Sequence, residues 1–340
     1  MAKIRWRVVL GVVFSLSFLG YALSRVDYKE VATAFSKANY LWTLPMMLSV
    51  IITMLIRAAR WKWLIEPLRK ISFRTLYSSV MIGFMANNLL PARIGEVVRA
   101  VSLSRQCSLS KSAVFATIVA ERVFDSLGLL FVFMVTLIFI DFPDELKQAG
   151  LAAMLLTAVL LFFLYLLYVK TDLAVKIFKL PIGIISKKMA ARADLLLRQF
   201  ASGLSILTAP ISIVIIFLYS IFLWAFTAVS GYLIFIAFDL YPNVWAAFIV
   251  LFVTVLAVSL PSSPGYIGTF HLACIMAFKL ISSLGMIGQA VSDSVALSFS
   301  VVLWSCQFFP VTVIGLYYLK KEHLNFKDIG EEKVFTTAGL

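Results

Sequence analysis

Long apolar segments separated by short polar ones occupy most of this chain. A membrane-spanning helix needs roughly 20 predominantly apolar residues. Segments close to that length predict six full spans, over 8–24, 41–56, 112–140, 151–169, 211–238 and 294–319. Two further apolar segments, within 73–111 and 244–289, are interrupted by proline, glycine and polar residues. The pattern predicts an all-α polytopic membrane protein with about six full spans and two re-entrant broken-helix hairpins.

Composition supports a membrane location and leaves little room for a soluble domain. Of the 340 residues, 62% are hydrophobic and 14% are charged, whereas soluble domains have about 45–50% apolar and about 25% charged residues. The longest polar segment, 170–209, is basic and is expected to form an amphipathic loop or helix on the anionic inner leaflet. Any activity is therefore expected in or at the bilayer.

Several signatures of pumps and metalloenzymes are missing from the sequence. It has no GxxxxGK[ST] nucleotide-binding motif, and His271 and His323 cannot form HExxH. The three cysteines lie far apart and are expected to be small buried hydrophobic residues. We therefore expect no ATP-driven pump, no metal site and no cofactor.

The distribution of Lys and Arg predicts the topology, because cytoplasmic loops of membrane proteins collect basic residues. Such a loop is predicted after the second span, from Arg57, Arg60, Lys62, Arg69, Lys70 and Arg74. Segment 73–111 is basic at both ends, so it is predicted to dip into the membrane and return to the cytoplasm. The last span has to end inside at Lys320 and Lys321, so it must begin outside, and span 211–238 also ends outside. Segment 244–289 between them is therefore predicted to dip into the membrane from the outer face and return. The protein is predicted to lie in the inner (plasma) membrane. Both of its termini, including the tail 321–340, are predicted to be on the cytoplasmic side.

The two predicted hairpins share a short motif. PARIGE, at 91–96, and PGYIGT, at 264–269, both read P-x-x-I-G and hold similar places in two halves of opposite orientation. The halves, 1–140 and 141–320, therefore read as an inverted repeat of the kind found in secondary transporters. Proline removes a backbone donor and glycine permits unusual dihedral angles. The predicted helix breaks are Pro91, Gly95, Pro261, Pro264, Gly265 and Gly268.

Polar and ionisable residues inside these membrane segments are the candidate substrate-binding residues, because such groups are costly there and usually functional. The first hairpin and the span after it supply Asn87, Asn88, Arg93, Glu96, Arg99, Glu121, Arg122 and Asp125. The second hairpin supplies Tyr266, His271 and Lys279.

Two interpretations of these residues stay open. Arginine is the natural bidentate partner of phosphate, so Arg93, Arg99 and Arg122 could hold a lipid phosphate while carboxylates orient them or meet a cationic headgroup. Alternatively, the charged groups pair with one another and only hold the hairpin against the next span. His271 could equally be a satisfied core residue, and Lys279 could either reach the interface or have a polar partner.

Three motifs resemble the signatures of a known family. NNLLPARIGEVVRA (87–100), AERVFD (120–125) and PSSPGYIG (261–268) are similar to those of the lysylphosphatidylglycerol synthase transmembrane region. This family, also called flippase-like or UPF0104, includes the membrane half of the bacterial multiple-peptide-resistance factor. The resemblance covers about residues 10–320 and implies movement of lipids or lipid-linked groups between leaflets. Residue by residue, the matches to the three motifs are Asn87, Asn88, Pro91, Arg93, Gly95, Glu96 and Arg99, then Glu121, Arg122 and Asp125, then Pro264, Gly265 and Gly268.

This sequence departs from the family pattern in two places. Tyr266 replaces a glycine of the third motif, and His271 stands where the family has a glutamate. Both changes concern the headgroup that the second hairpin would handle. The family's soluble aminoacyl-transfer domain is also missing from this sequence, so we expect no lipid aminoacylation by it.

The sequence therefore favours a lipid flippase or scramblase that works without ATP and is not an enzyme. Its expected partners are anionic, aminoacylated or polyprenyl-linked lipids; a separate lipid-modifying enzyme is an open second partner, and no nucleic acid is expected. Two alternatives stay open. One is a proton-coupled transporter of a small solute that uses Glu96, Glu121 or Asp125, and the other is an accessory subunit or enzyme of lipid glycosylation.

Overall fold

The computed structural model describes Ser17, Gly20, Leu23, Ser24 and residues 26–90, 94–177, 187–259, 263–289 and 291–324. The regular elements of this part are helices, which confirms the predicted all-α membrane fold. In chain order they are α1 (Tyr28–Lys37), α2 (Thr43–Ile65), α3 (Phe73–Leu89), α4 (Gly95–Cys107), α5 (Lys111–Phe139), α6 (Asp144–Val169), α7 (Lys187–Gly203), α8 (Pro210–Ala237), α9 (Trp245–Ser259), α10 (Thr269–Ser283) and α11 (Asp293–Lys321).

Six helical stretches in the described part are long and apolar enough to cross a membrane: Tyr40–Ile65, Lys111–Phe139, Asp144–Val169, Pro210–Ala237, Pro264–Ser283 and Asp293–Lys321. Five of them correspond to predicted full spans. The sixth, Pro264–Ser283, belongs to the second predicted hairpin. The predicted first span, 8–24, falls almost wholly outside the described residues.

The first predicted cytoplasmic loop is wrong at its beginning. Helix α2 continues to Ile65, so Arg57 and Arg60 lie inside it instead of in a loop. Both residues are buried: Arg60 has no exposed surface, and Arg57 is only 7% exposed. The physical reason is that both arginines have carboxylate partners on α5, described below, so their charges do not need water.

Helices α3 and α4, here called the first hairpin, pack closely against each other. Gly95 makes this possible, because a Cβ atom there would lie 2.1 Å from the carbonyl oxygen of Gly83. Asn87 near the end of α3 caps α4, since its Oδ1 accepts a 2.8 Å hydrogen bond from the Gly95 N–H. The helices therefore break between Leu89 and Gly95, and Pro91 in this break lies outside the described residues.

Helices α9 and α10 form the second hairpin, together with the short 3₁₀ turn Pro264–Tyr266 between them. Gly265 and Gly268 have φ angles of +68° and +87°, which glycine adopts without steric cost. The chain thus leaves α9 at Ser259, turns at these glycines and enters α10 at Thr269. Pro261 lies outside the described residues.

The two predicted halves pack along long helix contacts: α2 against α8, α3 against α11 and α5 against α8. The hairpins also meet at their breaks. Asn88 Nδ2 at the end of α3 donates to Thr312 Oγ1 of α11 at 3.0 Å. A Cβ atom on Gly265 would lie 3.4 Å from the Asn88 carbonyl oxygen, and Trp304 Nε1 donates to the Gly265 carbonyl at 2.6 Å. The two breaks therefore lie close together, next to α11.

The basic segment predicted to be amphipathic contains helix α7, which lies against the beginning of α5. Ser110 Oγ donates to Gln199 Oε1, and Ser112 Oγ donates to the Leu196 carbonyl, both at 2.8 Å. Gly203 allows the close contact, because a Cβ atom there would lie 2.2 Å from the Ala113 carbonyl oxygen. This helix thus fixes the end of the bundle where α5 begins.

The close contact at Gly95 gives a testable prediction. Gly95→Ala forces α3 and α4 apart and disturbs the Asn87 cap, so we expect a loss of about 1–3 kcal/mol of stability, the usual range for overpacking. Gly231→Ala in α8 is the matched control, since no atom of another helix lies within 4 Å of the added methyl group. Thermal unfolding of both variants in detergent would measure the difference; equal melting temperatures would contradict the close packing.

Candidate functional site

Six charged side chains from three helices meet inside the protein, and we call them the charge cluster. Its members are Arg57 and Arg60 of α2, Arg99 of α4, and Glu121, Arg122 and Asp125 of α5. Helical periodicity explains the placement, because residues three or four apart share one face of a helix. Two arginines of α2 therefore face two carboxylates of α5.

Glu121 is the centre of the cluster and is fully buried. Its Oε2 accepts a 2.8 Å hydrogen bond from Arg99 Nη2. Its Oε1 accepts one from Arg60 Nη2 at 2.9 Å and one from Arg99 Nη1 at 3.1 Å. Arg99 thus binds both carboxylate oxygens in the fork geometry that makes such pairs strong. The Arg99 guanidinium carbon also lies 3.7 Å from the ring centroid of Trp61, so this cation–π contact covers one face of the guanidinium.

Asp125 connects the cluster to a fourth helix. Arg60 Nη1 donates to Asp125 Oδ1 and also to Ser220 Oγ of α8, the latter at 2.8 Å. Trp224 Nε1 donates to the backbone carbonyl of Asp125 at 2.8 Å. The other carboxylate oxygen, Oδ2, faces two arginines at longer distances, 3.3 Å to Arg57 Nη1 and 3.5 Å to Arg122 Nη1.

The cluster carries more positive than negative charge, because four arginines share two carboxylates. Glu96 of α4 acts electrostatically on Arg122 and offsets part of the excess. Among the described residues, the Nε atoms of the cluster's four arginines have no hydrogen-bond partner. Burying a charge is costly unless it is paired, so an anion next to the cluster would offset its excess positive charge.

A cavity of about 730 Å³ lies beside the cluster, between the two hairpins. Six residues form what we call its polar end: Arg57, Asn87, Asn88, Glu96, Arg122 and Asp125. The second hairpin contributes Gly265 and Tyr266 to the lining, and α11 contributes Trp304. The side chain of Arg122 is 39% exposed, so it is the cluster arginine most open to this space. The volume is within the usual range of small-molecule sites, about 300–1,000 Å³.

The structure brings most of the predicted site residues together. Asn87, Asn88, Glu96, Arg122, Asp125 and Tyr266 line the cavity, and Arg99 and Glu121 lie directly behind it. Tyr266 has a φ angle of +60°, a left-handed conformation that residues other than glycine rarely adopt. Arg93 lies outside the described residues.

Two predicted residues lie elsewhere. His271 is buried between α10 and α11, where its Nδ1 is 3.0 Å from Ser300 Oγ. Lys279 forms a 2.9 Å ion pair with Asp293 and its side chain is 60% exposed. Neither residue lines the cavity, so the second hairpin contributes no charged side chain to it from its described residues.

Sequence reasoning missed Arg57 and Arg60 because they were counted as loop charges. One signal could have found them: the apolar residues Trp61, Leu64 and Ile65 follow, which extends the helical pattern past the arginines. Two carboxylates predicted inside the next span also required cationic partners. Arginine is the residue best suited to pair in such a place.

This chain is similar to known membrane proteins over most of its length. A family model described as "Lysylphosphatidylglycerol synthase TM region" matches residues 8–315. A UPF0104 membrane protein of Methanothermobacter thermautotrophicus is 24% identical over 324 residues, which cover 91% of this chain and 92% of the relative. Another, from Methanocaldococcus jannaschii, is 27% identical over 36% of this chain and 37% of its own length. No solved structure matches this chain.

The pairing at Glu121 gives a second testable prediction. Glu121→Gln leaves Arg60 and Arg99 buried without this counter-charge, so we expect a loss of about 3–5 kcal/mol, the usual cost of breaking a buried ion pair. Asp293→Asn is the matched control: it removes the partner of the exposed Lys279 and should cost only about 0–1 kcal/mol. Thermal unfolding in detergent measures both; equal shifts would show that the cluster does not support the fold.

Proposed function

We propose that this chain, which belongs to the lysylphosphatidylglycerol synthase TM region family, moves a lipid with an anionic or zwitterionic headgroup between the leaflets without hydrolysing ATP. Family membership supports a function connected with membrane lipids. The excess positive charge of the cluster, open to the cavity between the hairpins, supports the class of headgroup. The proposed activity is transport, with no covalent step.

Arg57 and Arg122 are the proposed phosphate-binding residues. Both line the cavity and share Asp125 Oδ2, at distances long enough to leave each guanidinium with unused donors. Aromatic rings hold Arg57 in place, since its guanidinium lies 5.0 Å from the ring centroid of Phe84 and 5.7 Å from that of Trp224. A phosphodiester between the two arginines would complete their hydrogen bonds and neutralise the excess charge.

Glu96 is the proposed contact for a cationic group of the same headgroup. In the described part of the chain its two carboxylate oxygens receive only long hydrogen bonds, both 3.4 Å, from Asn87 Nδ2. It lines the cavity together with Arg122. An amine next to the phosphate, as in an aminoacylated or zwitterionic lipid, would therefore find a carboxylate opposite the arginines. A polyprenyl phosphate would use the arginines alone.

Alternating access would come from relative movement of the two predicted repeats. Helices α2, α4 and α5 of the first predicted repeat supply the cavity's charges, and the second hairpin and α11 close the opposite side. Near the hairpin breaks, Asn88 joins the two sides by donating to Thr312 Oγ1 and to the Phe308 carbonyl. Separating these contacts would expose the headgroup site to one face and then the other, as in other transporters built from inverted repeats.

We also propose that the protein lies in the plasma membrane with both termini cytoplasmic. The acidic segment before α6 would then be outside and the basic α7 inside, as the bias of basic residues requires. Single cysteines test this at Glu145 and Arg192, which are both exposed. In right-side-out vesicles a membrane-impermeant maleimide should label Glu145→Cys, and should label Arg192→Cys only after permeabilisation. The unsubstituted protein gives the background, and the reverse labelling pattern would refute the orientation.

The transport proposal is tested in liposomes that contain a fluorescent phosphatidylglycerol. The purified protein should accelerate its movement between leaflets, and Arg122→Gln should slow it about tenfold or more, because a hydrogen bond to a charged group is worth about 1.5–3 kcal/mol. The variant should still fold, since three cluster arginines remain for two carboxylates. Arg198→Gln on α7, which breaks an exposed ion pair, is the control and should leave the rate unchanged.

The absence of acceleration with anionic, aminoacylated and polyprenyl phosphate lipids would reject lipid transport. Glu96 then supports a second candidate, a proton-coupled transporter of a small solute, because this cavity carboxylate has no ion pair among the described residues. That activity would appear as solute uptake that depends on a pH gradient and is abolished in Glu96→Gln.

A further inference from the structure

The cavity continues from its polar end into an apolar region, which we call the apolar arm. Along α5 its lining passes from Asp125 through Leu129 to Phe133, about 12 Å along the helix axis. Gly150 and Ala153 of α6 line the arm from one side, and Leu256 of α9 lines it from the other. One space therefore has a charged end and a hydrocarbon-like end.

Aromatic rings close the far end of the arm. The ring centroid of Phe133 lies 5.4 Å from that of Phe142 and 5.1 Å from that of Phe252, and all three residues line the cavity. Water gains few hydrogen bonds in a space with mostly apolar walls. The arm therefore suits an apolar occupant that enters from the bilayer.

Helix α6 leaves the arm open towards the membrane. In the described part of the chain its close packing partners are α5 and α7, while α9 forms the opposite wall of the arm. Two residues that line the cavity, Leu156 of α6 and Leu256 of α9, are 71% and 44% exposed, which is high for residues around a closed cavity. These residues mark a lateral mouth between α6 and α9.

The inner face of α6 keeps the arm wide. It presents Gly150, Ala153 and Thr157 to the cavity, whereas its outer face carries large exposed residues such as Leu151 and Leu155. Gly150 packs closely against α5, since a Cβ atom on it would lie 2.4 Å from Phe133 Cε1. Ala153 and Thr157 also line the cavity, so this face of α6 carries small or short side chains next to the arm.

We propose that the apolar arm binds one hydrocarbon chain of a membrane lipid, entering between α6 and α9, while the phosphate of the same molecule occupies the polar end. This inference rests on the proposed function for the headgroup, but it concerns a separate part of the cavity. It assigns to Ala153 and Leu256 a direct contact with the chain. A small soluble solute would need neither the arm nor its mouth.

The experiment compares binding of two lipids to the purified full-length protein in detergent by native mass spectrometry. The probes are phosphatidylglycerol with two sixteen-carbon chains and its two-carbon-chain analogue, which has the same headgroup. Ala153→Phe fills the arm, and Leu155→Phe places the same ring on the exposed face of α6 as the matched control. If Ala153→Phe does not fold, Leu256→Trp fills the arm from the opposite wall.

The long-chain lipid should bind Ala153→Phe about tenfold or more weakly than the unchanged protein, since about two buried methylene groups account for tenfold in affinity. Binding of the short-chain analogue should not change, and Leu155→Phe should resemble the unchanged protein with both lipids. If the arm-filling variant and the control bind the long-chain lipid with equal affinity, the proposal that the apolar arm binds a hydrocarbon chain is refuted, even if transport is observed. Selective loss of the long chain would support the arm, even if transport is not observed.

Discussion

The pairing of two buried carboxylates with buried arginines is the constraint on which this structure depends. Glu121 and Asp125 lie in a helix apolar enough to span a membrane, where an unpaired charge would be very costly. Arg60 bonds to both carboxylates, and Arg99 forks onto Glu121. Helices α2, α4 and α5 must therefore lie side by side in one register. The position of α4 then fixes α3, through the glycine contact of the first hairpin.

Pairing alone explains only part of the cluster. Arg60 and Arg99 have short bonds to carboxylates and are almost fully buried, so a purely structural role accounts for them. Arg57 and Arg122 share one oxygen atom of Asp125 at longer distances, and both line the cavity. A cluster that served only stability would not need this second pair, because each added buried cation increases the cost of desolvation. The additional charge supports the proposal that the cavity receives an anion.

Much of the architecture could be predicted from the sequence, and the failures have physical causes. Hydropathy located five spans, because a helix in lipid must be apolar over its whole length. Proline and glycine in the P-x-x-I-G motifs coincide with the intervals between helices of both hairpins. Arg57 and Arg60 were placed wrongly, since counting charges treats each arginine as solvated and cannot see a partner 61–68 residues away. Whether the Lys279 side chain points to the cavity or to the surface depends on how α10 is rotated about its axis. The apolar pattern of α10 does not determine this rotation.

A cavity with a charged end and an apolar arm would suit the proposed lipid better than a soluble molecule. A headgroup that crosses hydrocarbon loses its hydration, and this loss is the main barrier to flipping. At the polar end fixed arginines, themselves held by Glu121 and Asp125, would replace that hydration without reorganising. The chain would meanwhile stay in apolar surroundings from the bilayer to the arm, so its transfer would cost little. The buried ion pairs that determine the packing of α2, α4 and α5 would thus also lower the barrier for the headgroup.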